Sequence, residues 1–225
     1  MRTELERIAF IRTQTRVEPV PLVPEIRVHT ASELSPLWAA TQSFLDLRGL
    51  DPPYWAFPWA GGQALARWVL DTPEVVRDKT VLDFASGSGL VAIAAALAGA
   101  RHVIANDIDP VACSALRLNA EVAGVAIEAL SADIVGSEVD AEVVLVGDVF
   151  YERDAAARFH DWLGRIAGRG AGVYVGDPGR TYLPAGLLGL AEYDVPVSSE
   201  LESAENKRTT VFGYRGALDG SPGVR

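Results

Sequence analysis

The sequence is poor in cysteine, in histidine and in basic residues. Its 225 residues include one cysteine and three histidines, and 20 lysines and arginines stand against 30 acidic residues, for a net charge of −10. A single cysteine builds neither a disulfide framework nor a cysteine-based zinc site, and the histidines show no ligand spacing, so no metal site is expected. Nucleic acid and anionic membranes require a basic face, so we expect neither as a partner. The charge instead favours a basic partner, such as a protein that presents lysines.

Long apolar runs and targeting signals are also lacking. The apolar stretch from Leu90 to Ala98 is too short to span a bilayer. The first ten residues, MRTELERIAF, contain two glutamates and do not have the apolar core of a signal peptide. We therefore expect a cytoplasmic protein. Since no coiled-coil pattern or long apolar edge is evident, we expect a monomer.

From Thr80 onward, strand patterns alternate with helix patterns. Five strands are predicted from TVLDF, HVIAND, AIEAL, EVVLVGD and AGVYVGD, with helices between them and a further helix at Thr181–Leu190. The segments AEYDVPV and RTTVFGYR predict an antiparallel pair at one edge. This order predicts an α/β fold, a Rossmann-like and mostly parallel sheet with helices on both faces.

The first 60 residues differ from the rest of the chain. A helix is predicted at Arg2–Gln14, followed by the proline-rich run VEPVPLVPEI, which prolines hold extended, and by a short strand at Ile26–His29. DPPYWAFPWAGGQAL then combines prolines and aromatic residues with a pair of glycines. We predict three parts: an N-terminal α/extended extension that packs on and partly covers the ligand site (residues 1–60), an α/β domain (61–216) and a disordered tail (217–225).

The stretch VLDFASGSGL passes from a strand into a helix on two glycines. Gly87-x-Gly89 matches a loose nucleotide-binding fingerprint, and Asp107 ends the next strand, where an acid accepts hydrogen bonds from ribose hydroxyls. Asp83 comes just before the turn, where its charge repels a pyrophosphate and favours a cation. S-adenosylmethionine carries an ammonium and a sulfonium and no phosphate, so the turn favours it over a dinucleotide. The alternative is a structural turn in which Asp83 only anchors a helix.

Two further acids follow later strands. Asp133, in SADI, is expected near the adenine of such a ligand. Asp148, in GDVFY, falls on the rim where open parallel sheets bind ligands, and a carboxylate there suits a lysine ammonium. Phe150 and Tyr151 are expected to wall the channel because aromatic faces attract cations. The alternative is that Asp148 caps a turn while Phe150 and Tyr151 pack in the core. Arg180 lies in GDPGR on the same rim, and for this residue a substrate contact and a structural role stay equally open.

Five segments together carry a resemblance to a known family: DPPYWAFPWAGGQALARWVLD, VLDFASGSG, ANDIDP, GDVFYERD and GDPGR. They resemble the seven-strand methyltransferases that modify lysines of the electron transfer flavoprotein β-subunit, and above all the bacterial members. The resemblance covers roughly residues 51–213. It implies a sheet of order 3-2-1-4-5-7-6 with the seventh strand antiparallel, S-adenosylmethionine as cofactor and the flavoprotein β-subunit as protein substrate.

The resemblance also implies roles for particular residues. These are Asp83, Gly87 and Gly89 in the first cofactor motif, Asp107 as the ribose-binding acid, Trp59 beside the cofactor, and Asp148, Phe150 and Tyr151 in the motif after the fourth strand, with Asp148 binding the target lysine. The turn departs from the family pattern, since it reads FASGSG where relatives have LGSG or LGCG. The animal members carry a mitochondrial targeting segment that this sequence does not show, which favours a bacterial cytoplasmic enzyme.

Three other functions stay open on the sequence. One is an N-methyltransferase for a small amine or a ribosomal protein. The second is an adaptor that binds S-adenosylmethionine without catalysis. The third is an NAD-dependent reductase, which the glycine turn alone would also allow.

Overall fold

The computed structural model describes residues 1, 3–31, 53–197 and 205–214, so the predicted tail lies outside the described residues. The helices are α1 (Glu4–Gln14), α2 (Ala60–Asp71), α3 (Leu90–Leu97), α4 (Pro110–Ala123) and α5 (Arg153–Gly168), with short 3-10 turns at Tyr54–Ala56 and Pro73–Val75. The strands are β1 (Arg16–Val20), β2 (Val23–Thr30), β3 (Thr80–Phe84), β4 (His102–Asp107), β5 (Glu128–Ser131), β6 (Val143–Gly147), β7 (Gly172–Asp177), β8 (Leu188–Pro196) and β9 (Asn206–Gly213).

The central sheet has seven strands in the order β5-β4-β3-β6-β7-β9-β8. Counted along the chain from β3, this is 3-2-1-4-5-7-6, which confirms the order that the resemblance implies. Strands β3 to β7 pair in parallel, whereas β9 runs antiparallel to both β7 and β8. The carboxyl ends of β3, β4, β6 and β7 therefore meet at one edge of the sheet.

Alternate residues of the central strands face two separate cores. Val143 and Leu145 of β6 pack in the core that includes buried residues of α2 and α3. Val144 and Val146 face the other side, where Trp162 of α5 is almost fully buried. Helices thus cover both faces of the sheet, as the alternation of strands and helices predicts.

The predicted helix at Thr181–Leu190 is wrong. The chain forms turns after β7, and β8 begins at Leu188, which pairs with Gly213 of β9. Pro184 has no N–H for a helical hydrogen bond, and Gly186 has a φ of +85°. The apolar residues that suggested a helix instead form a strand and part of a core.

The N-terminal residues pack onto α4. Ile11 of α1 is fully buried in a cluster with Val111 and Leu118, and His29 N of β2 donates to Asn119 Oδ1 at 2.7 Å. The proline-rich run forms the antiparallel hairpin of β1 and β2, so the strand predicted at Ile26–His29 is confirmed and is longer. Across the described ranges, every helix is too short or too polar to cross a membrane.

Candidate active site

The turn between β3 and α3 depends on backbone conformations that glycine favours. Gly87 has a φ of +54°, and Gly89, the N-cap residue of α3, has a φ of +81°. A Cβ added at Gly89 would lie 2.9 Å from Leu116 Cγ of α4, so this glycine also permits helix packing. Asn119 Nδ2 of α4 donates to Ser88 O at 2.7 Å. The turn is therefore held in one shape by its neighbours.

Asp107 ends β4 and contacts the glycine turn directly. Its Oδ2 accepts a hydrogen bond from Gly87 N at 2.9 Å, and its Oδ1 accepts one from Asp109 N at 2.9 Å. Burial raises the pKa of Asp107, while these backbone hydrogen bonds oppose the shift. The next residue, Ile108, is 71% exposed and offers an apolar surface beside the acid.

The Asp83 carboxylate is buried at the N terminus of α3. Its Oδ2 accepts hydrogen bonds from Ala92 N at 2.9 Å and from Ser86 Oγ at 2.5 Å. Burial raises the pKa of Asp83 to about 7; the hydrogen bonds oppose the shift, and the charge of Asp107 adds to it. Asp83 therefore anchors the N terminus of α3, and its contact with a cofactor stays a prediction. Its proton is also poised to leave near neutral pH when a cation binds beside it.

Asp133 follows β5, and its side chain is exposed. Its Oδ1 accepts a hydrogen bond from Val135 N at 3.1 Å, and its Oδ2 pairs with Arg158 Nη2 of α5 at 3.3 Å. The Val135 N–H and the Arg158 guanidinium lower the pKa of Asp133. The structure thus pairs Asp133 with Arg158 rather than grouping it with Asp83 and Asp107, and its contact with an adenine stays a prediction.

The N terminus of α2 lies across the carboxyl ends of β6 and β7. A Cβ added at Gly61 would stand 2.2 Å from Gly176 O and 2.8 Å from Asp148 N. A Cβ added at Gly147 would lie 3.0 Å from Gly62 Cα. The glycine pair in WAGG therefore lets the helix backbone touch the ends of two strands.

Asp148 follows β6 with a φ of +59°, and its carboxylate reaches the N terminus of α2. Its Oδ2 accepts a hydrogen bond from Gly61 N at 3.0 Å, so Asp148 caps the first turn of α2 and lies at the positive end of the helix dipole. Arg180 Nε donates to Oδ1 at 2.6 Å, and Arg180 Nη2 donates to Oδ2 at 3.2 Å. Asp148 is therefore a cation-binding carboxylate on the rim of the sheet, and here it binds a cation of its own chain.

Three aromatic side chains, Trp59, Tyr54 and Tyr151, form a row of ring contacts that begins at this ion pair, and we call them the aromatic wall. The Arg180 guanidinium carbon lies 5.9 Å from the centroid of the Trp59 ring, within cation–π range. The Tyr54 ring lies 6.1 Å from the Trp59 ring and 5.6 Å from the Tyr151 ring. Trp59 Nε1 donates to Tyr54 O at 2.8 Å, which fixes the indole.

The structure separates the two aromatic residues of GDVFY. Tyr151 is 50% exposed and belongs to the aromatic wall, whereas Phe150 is fully buried in the core beside Trp162. Burial raises the pKa of Tyr151 to about 12, and negative charges that include Asp107 and Asp148 add to the shift. Tyr151 therefore lies within electrostatic range of both Asp107 and Asp148, while the Phe150 ring lies in the core rather than in the channel.

Sequence reasoning missed Tyr54, Gly61 and Asp177. The first two lie in a segment whose aromatic residues and glycines stand out, but their partners are distant in the chain. Asp177 ends β7, as Asp107 ends β4, and its Oδ1 accepts hydrogen bonds from Gly179 N and Arg180 N at 2.7 Å each. An acid at the end of a strand was the signal that could have singled it out.

The sheet order, the glycine turn after its first strand and the acids that follow its second and fourth strands define a class I methyltransferase. A family model described as ribosomal protein L11 methyltransferase (PrmA) matches residues 65–147. A crystal structure of magnesium protoporphyrin IX methyltransferase from Synechocystis, solved with bound S-adenosylmethionine, covers 68% of this chain and 77% of its own, with 14% identity and a TM-score of 0.50. That likeness concerns the fold.

Relatives of higher sequence identity show the family to which the chain belongs. The electron transfer flavoprotein β-subunit lysine methyltransferase of Xenopus laevis is 37% identical over 92% of this chain and 86% of its own length. The human protein of the same name is 37% identical over 92% of this chain and 81% of its own. The chain belongs to the electron transfer flavoprotein β-subunit lysine methyltransferase family. It is therefore an enzyme of the methyltransferase class, and its family and fold indicate S-adenosylmethionine as the cofactor.

Proposed function

We propose that this protein transfers methyl groups from S-adenosylmethionine to lysine side chains of the electron transfer flavoprotein β-subunit, with the lysine held by Asp148. The observation that carries the proposal is the position of Asp148, a buried carboxylate on the rim that binds a cation beside the aromatic wall.

The donor set at the glycine turn fits S-adenosylmethionine. Asp83 and Asp107 are acids close enough for their charges to interact, and such a pair disfavours a pyrophosphate. A ligand with cationic groups offsets their negative charge, and its ribose hydroxyls donate hydrogen bonds to a carboxylate. We assign Asp107 to the ribose, Asp83 to the amino acid end, Gly87 and Gly89 to the close backbone approach, and Trp59 and Asp133 to the remaining cofactor contacts.

The methyl transfer needs mainly position and a neutral amine. When bound, the cofactor supplies an electrophilic methyl group on a sulfonium. Asp148 holds the lysine ammonium and orients its nitrogen, which loses one proton to water before it reacts. Tyr151 is half exposed in the aromatic wall and interacts electrostatically with both Asp107 and Asp148, and we assign it to the wall of the lysine channel. Its aromatic face stabilises cationic lysine and methylated lysine alike.

The test is intact-mass spectrometry of purified electron transfer flavoprotein after incubation with this protein and S-adenosylmethionine. Additions of about 14 Da to the β-subunit, absent without the cofactor, are expected for methylation. No addition to the β-subunit, with cofactor binding shown separately, would reject this substrate. Because the PrmA family matches part of the chain, ribosomal protein L11 and small amines serve as parallel substrates, and methylation of those alone would support the alternative.

Replacement of Asp83 by Asn tests its place beside the cofactor. The pKa of Asp83 is about 7 in the folded protein and about 4 when unfolded. Its contribution to stability is therefore present below about pH 4 and lost as the pH rises to about 7. At pH 8 we expect D83N to raise the Tm of the cofactor-free protein, because the substitution removes a buried charge that costs stability. We also expect it to weaken cofactor binding about tenfold or more, because the same charge attracts the cationic cofactor.

Calorimetric titrations with S-adenosylmethionine and S-adenosylhomocysteine measure this binding. Equal losses for both ligands indicate that Asp83 acts on the shared ammonium, whereas a loss for S-adenosylmethionine alone indicates the sulfonium. Unchanged affinity for both would leave Asp83 only its role as an anchor of α3.

A further inference from the structure

One buried acid beside the site has an acceptor atom without a partner. Asp177 is 1% exposed, and its Oδ2 has no hydrogen-bond partner among the residues that the structure describes. Its Oδ1 already accepts two backbone N–H groups, one of them from Arg180. A buried carboxylate oxygen without a partner is costly, so its retention requires an explanation.

The neighbour of Asp177 on the rim is Asp148. Gly147 and Gly176 pair directly in the parallel ladder of β6 and β7, so the two acids follow adjacent strand ends. The negative charge of Asp148 helps to raise the pKa of Asp177. Arg180 belongs to the turn that Asp177 holds, and its guanidinium pairs with Asp148. Arg180 thus contacts both acids, with its backbone N–H on Asp177 and its guanidinium on Asp148, whose charge it neutralises.

The Arg180 guanidinium has the surroundings that a substrate ammonium requires. It pairs with the Asp148 carboxylate and lies over the face of Trp59. The charge of Asp148 is already compensated, so a lysine ammonium that enters beside it would meet a second cation. The lysine ammonium can therefore form a full ion pair with Asp148 only when the Arg180 guanidinium moves away.

We propose that Arg180 occupies the lysine subsite of the free enzyme and that, when the substrate lysine binds Asp148, its guanidinium transfers to the unpartnered Oδ2 of Asp177. The inference rests on the proposed function. Arg180 is then a specificity residue, because only a side chain that competes for Asp148 as a cation displaces it. Asp177 is a positioning residue, since it acts on the lysine through Arg180. Gly179, with a φ of +88°, gives the turn a residue for which this conformation carries no steric penalty.

The pH dependence follows from the groups around Asp177. Burial raises its pKa to about 6, the charge of Asp148 adds to the shift, and Arg180 opposes it. Of the described residues packed against this strand end, Thr210 of β9, which pairs with Asp177, and Gly61 of α2, which lies against Gly176, are uncharged, whereas Asp148 and Arg180 carry the charges that act on Asp177. Below about pH 6 a protonated Asp177 binds the guanidinium poorly, so KM for the protein substrate should rise as the pH falls through 6.

A double-mutant cycle tests the exchange. Asp177→Asn keeps an oxygen for the backbone N–H groups and removes the acceptor charge. We expect it to raise KM for the flavoprotein substrate about tenfold with a smaller change in kcat, because Arg180 then stays on Asp148. Arg180→Gln should lower KM and abolish its rise below pH 6. In the Arg180→Gln background, Asp177→Asn should have no further effect on KM, because that protein has no Arg180 guanidinium to bind residue 177.

Thermal melting of all four proteins separates folding from function. Equal effects of Asp177→Asn on KM in both backgrounds, or an effect in neither, would overturn the exchange and leave Asp177 a structural role in its turn. Wild-type protein that neither binds nor methylates the flavoprotein would overturn the proposed function, and the inference with it. Wild-type activity without the expected non-additivity would overturn the inference alone.

Discussion

Asp148→Asn should lower kcat for methyl transfer about 1,000-fold, the loss typical of a removed charged group at a reacting centre. The neutral amide cannot compensate the charge of a lysine ammonium. Because the Arg180 guanidinium loses the same carboxylate partner, the variant keeps no acceptor charge of Asp148 for either cation. Affinity for S-adenosylhomocysteine should change little, because the acids at the glycine turn are untouched.

Asparagine is the appropriate replacement because Asp148 also supports the fold. Its side-chain oxygen still accepts the hydrogen bond from Gly61 N, which alanine would lose. We expect a loss of about 2 kcal/mol in the free energy of unfolding from the broken pair with Arg180. Activity is therefore compared at a temperature well below both melting transitions.

Glu152→Gln is the matched control for Asp148→Asn. Glu152 is an exposed acid a few residues along the same loop, at the N-cap position of α5. Its neutralisation should leave kcat within about twofold of wild type, as is usual for surface positions. If Asp148→Asn retained more than a tenth of the wild-type kcat, Asp148 would not be the group that holds the lysine.

Gly61→Ala should destabilise the protein by about 3 kcal/mol or more and lower its Tm by roughly 10 °C. The added methyl group would lie 2.2 Å from Gly176 O and 2.8 Å from Asp148 N, and both atoms are backbone. The helix must therefore move off the strand ends. Because this shift displaces the cap that fixes Asp148, kcat should also fall about 100-fold, as expected for a misplacement of about 1 Å.

Gly62→Ala provides the control in the next position of the same helix. A Cβ at Gly62 meets no atom within 4 Å among the described residues. Alanine favours a helix over glycine by about 1 kcal/mol, so this variant should melt at or above the wild-type temperature. Equal melting temperatures for the two variants would show that the close contact between α2 and the strands is not rigid.

Local patterns predicted the sheet domain well. The five strands, the helices between them and the antiparallel edge pair follow from short-range patterns, and the structure confirms them. The helix predicted at Thr181–Leu190 failed where a proline and a glycine interrupt an apolar run. In this segment the apolar residues favour a helix and the proline and glycine disfavour one, with similar local strength. The pairing of β8 with β9 decides in favour of the strand.

The candidate site was less accessible to sequence reasoning. Asp107 and the glycine turn were predicted to act together, and they are hydrogen bonded. The direction of a side chain after a strand was not predictable, so Phe150 was assigned to the channel although its ring lies in the core. Tyr54 contributes to the aromatic wall instead, from a segment nearly 100 residues away in the chain.

The sequence by itself determined the class of fold, the glycine turn and the acids at the strand ends, because spacing and residue type act over a few neighbouring positions. Only the tertiary structure decided which of these groups meet. The pairing of Asp148 with Arg180 and the unpartnered oxygen of Asp177 arise where two parallel strands end side by side. The contact of Gly61 with both strand ends depends on how closely a helix packs on a sheet. Such contacts follow from the packing of elements that are distant in the chain, and no local pattern encodes them.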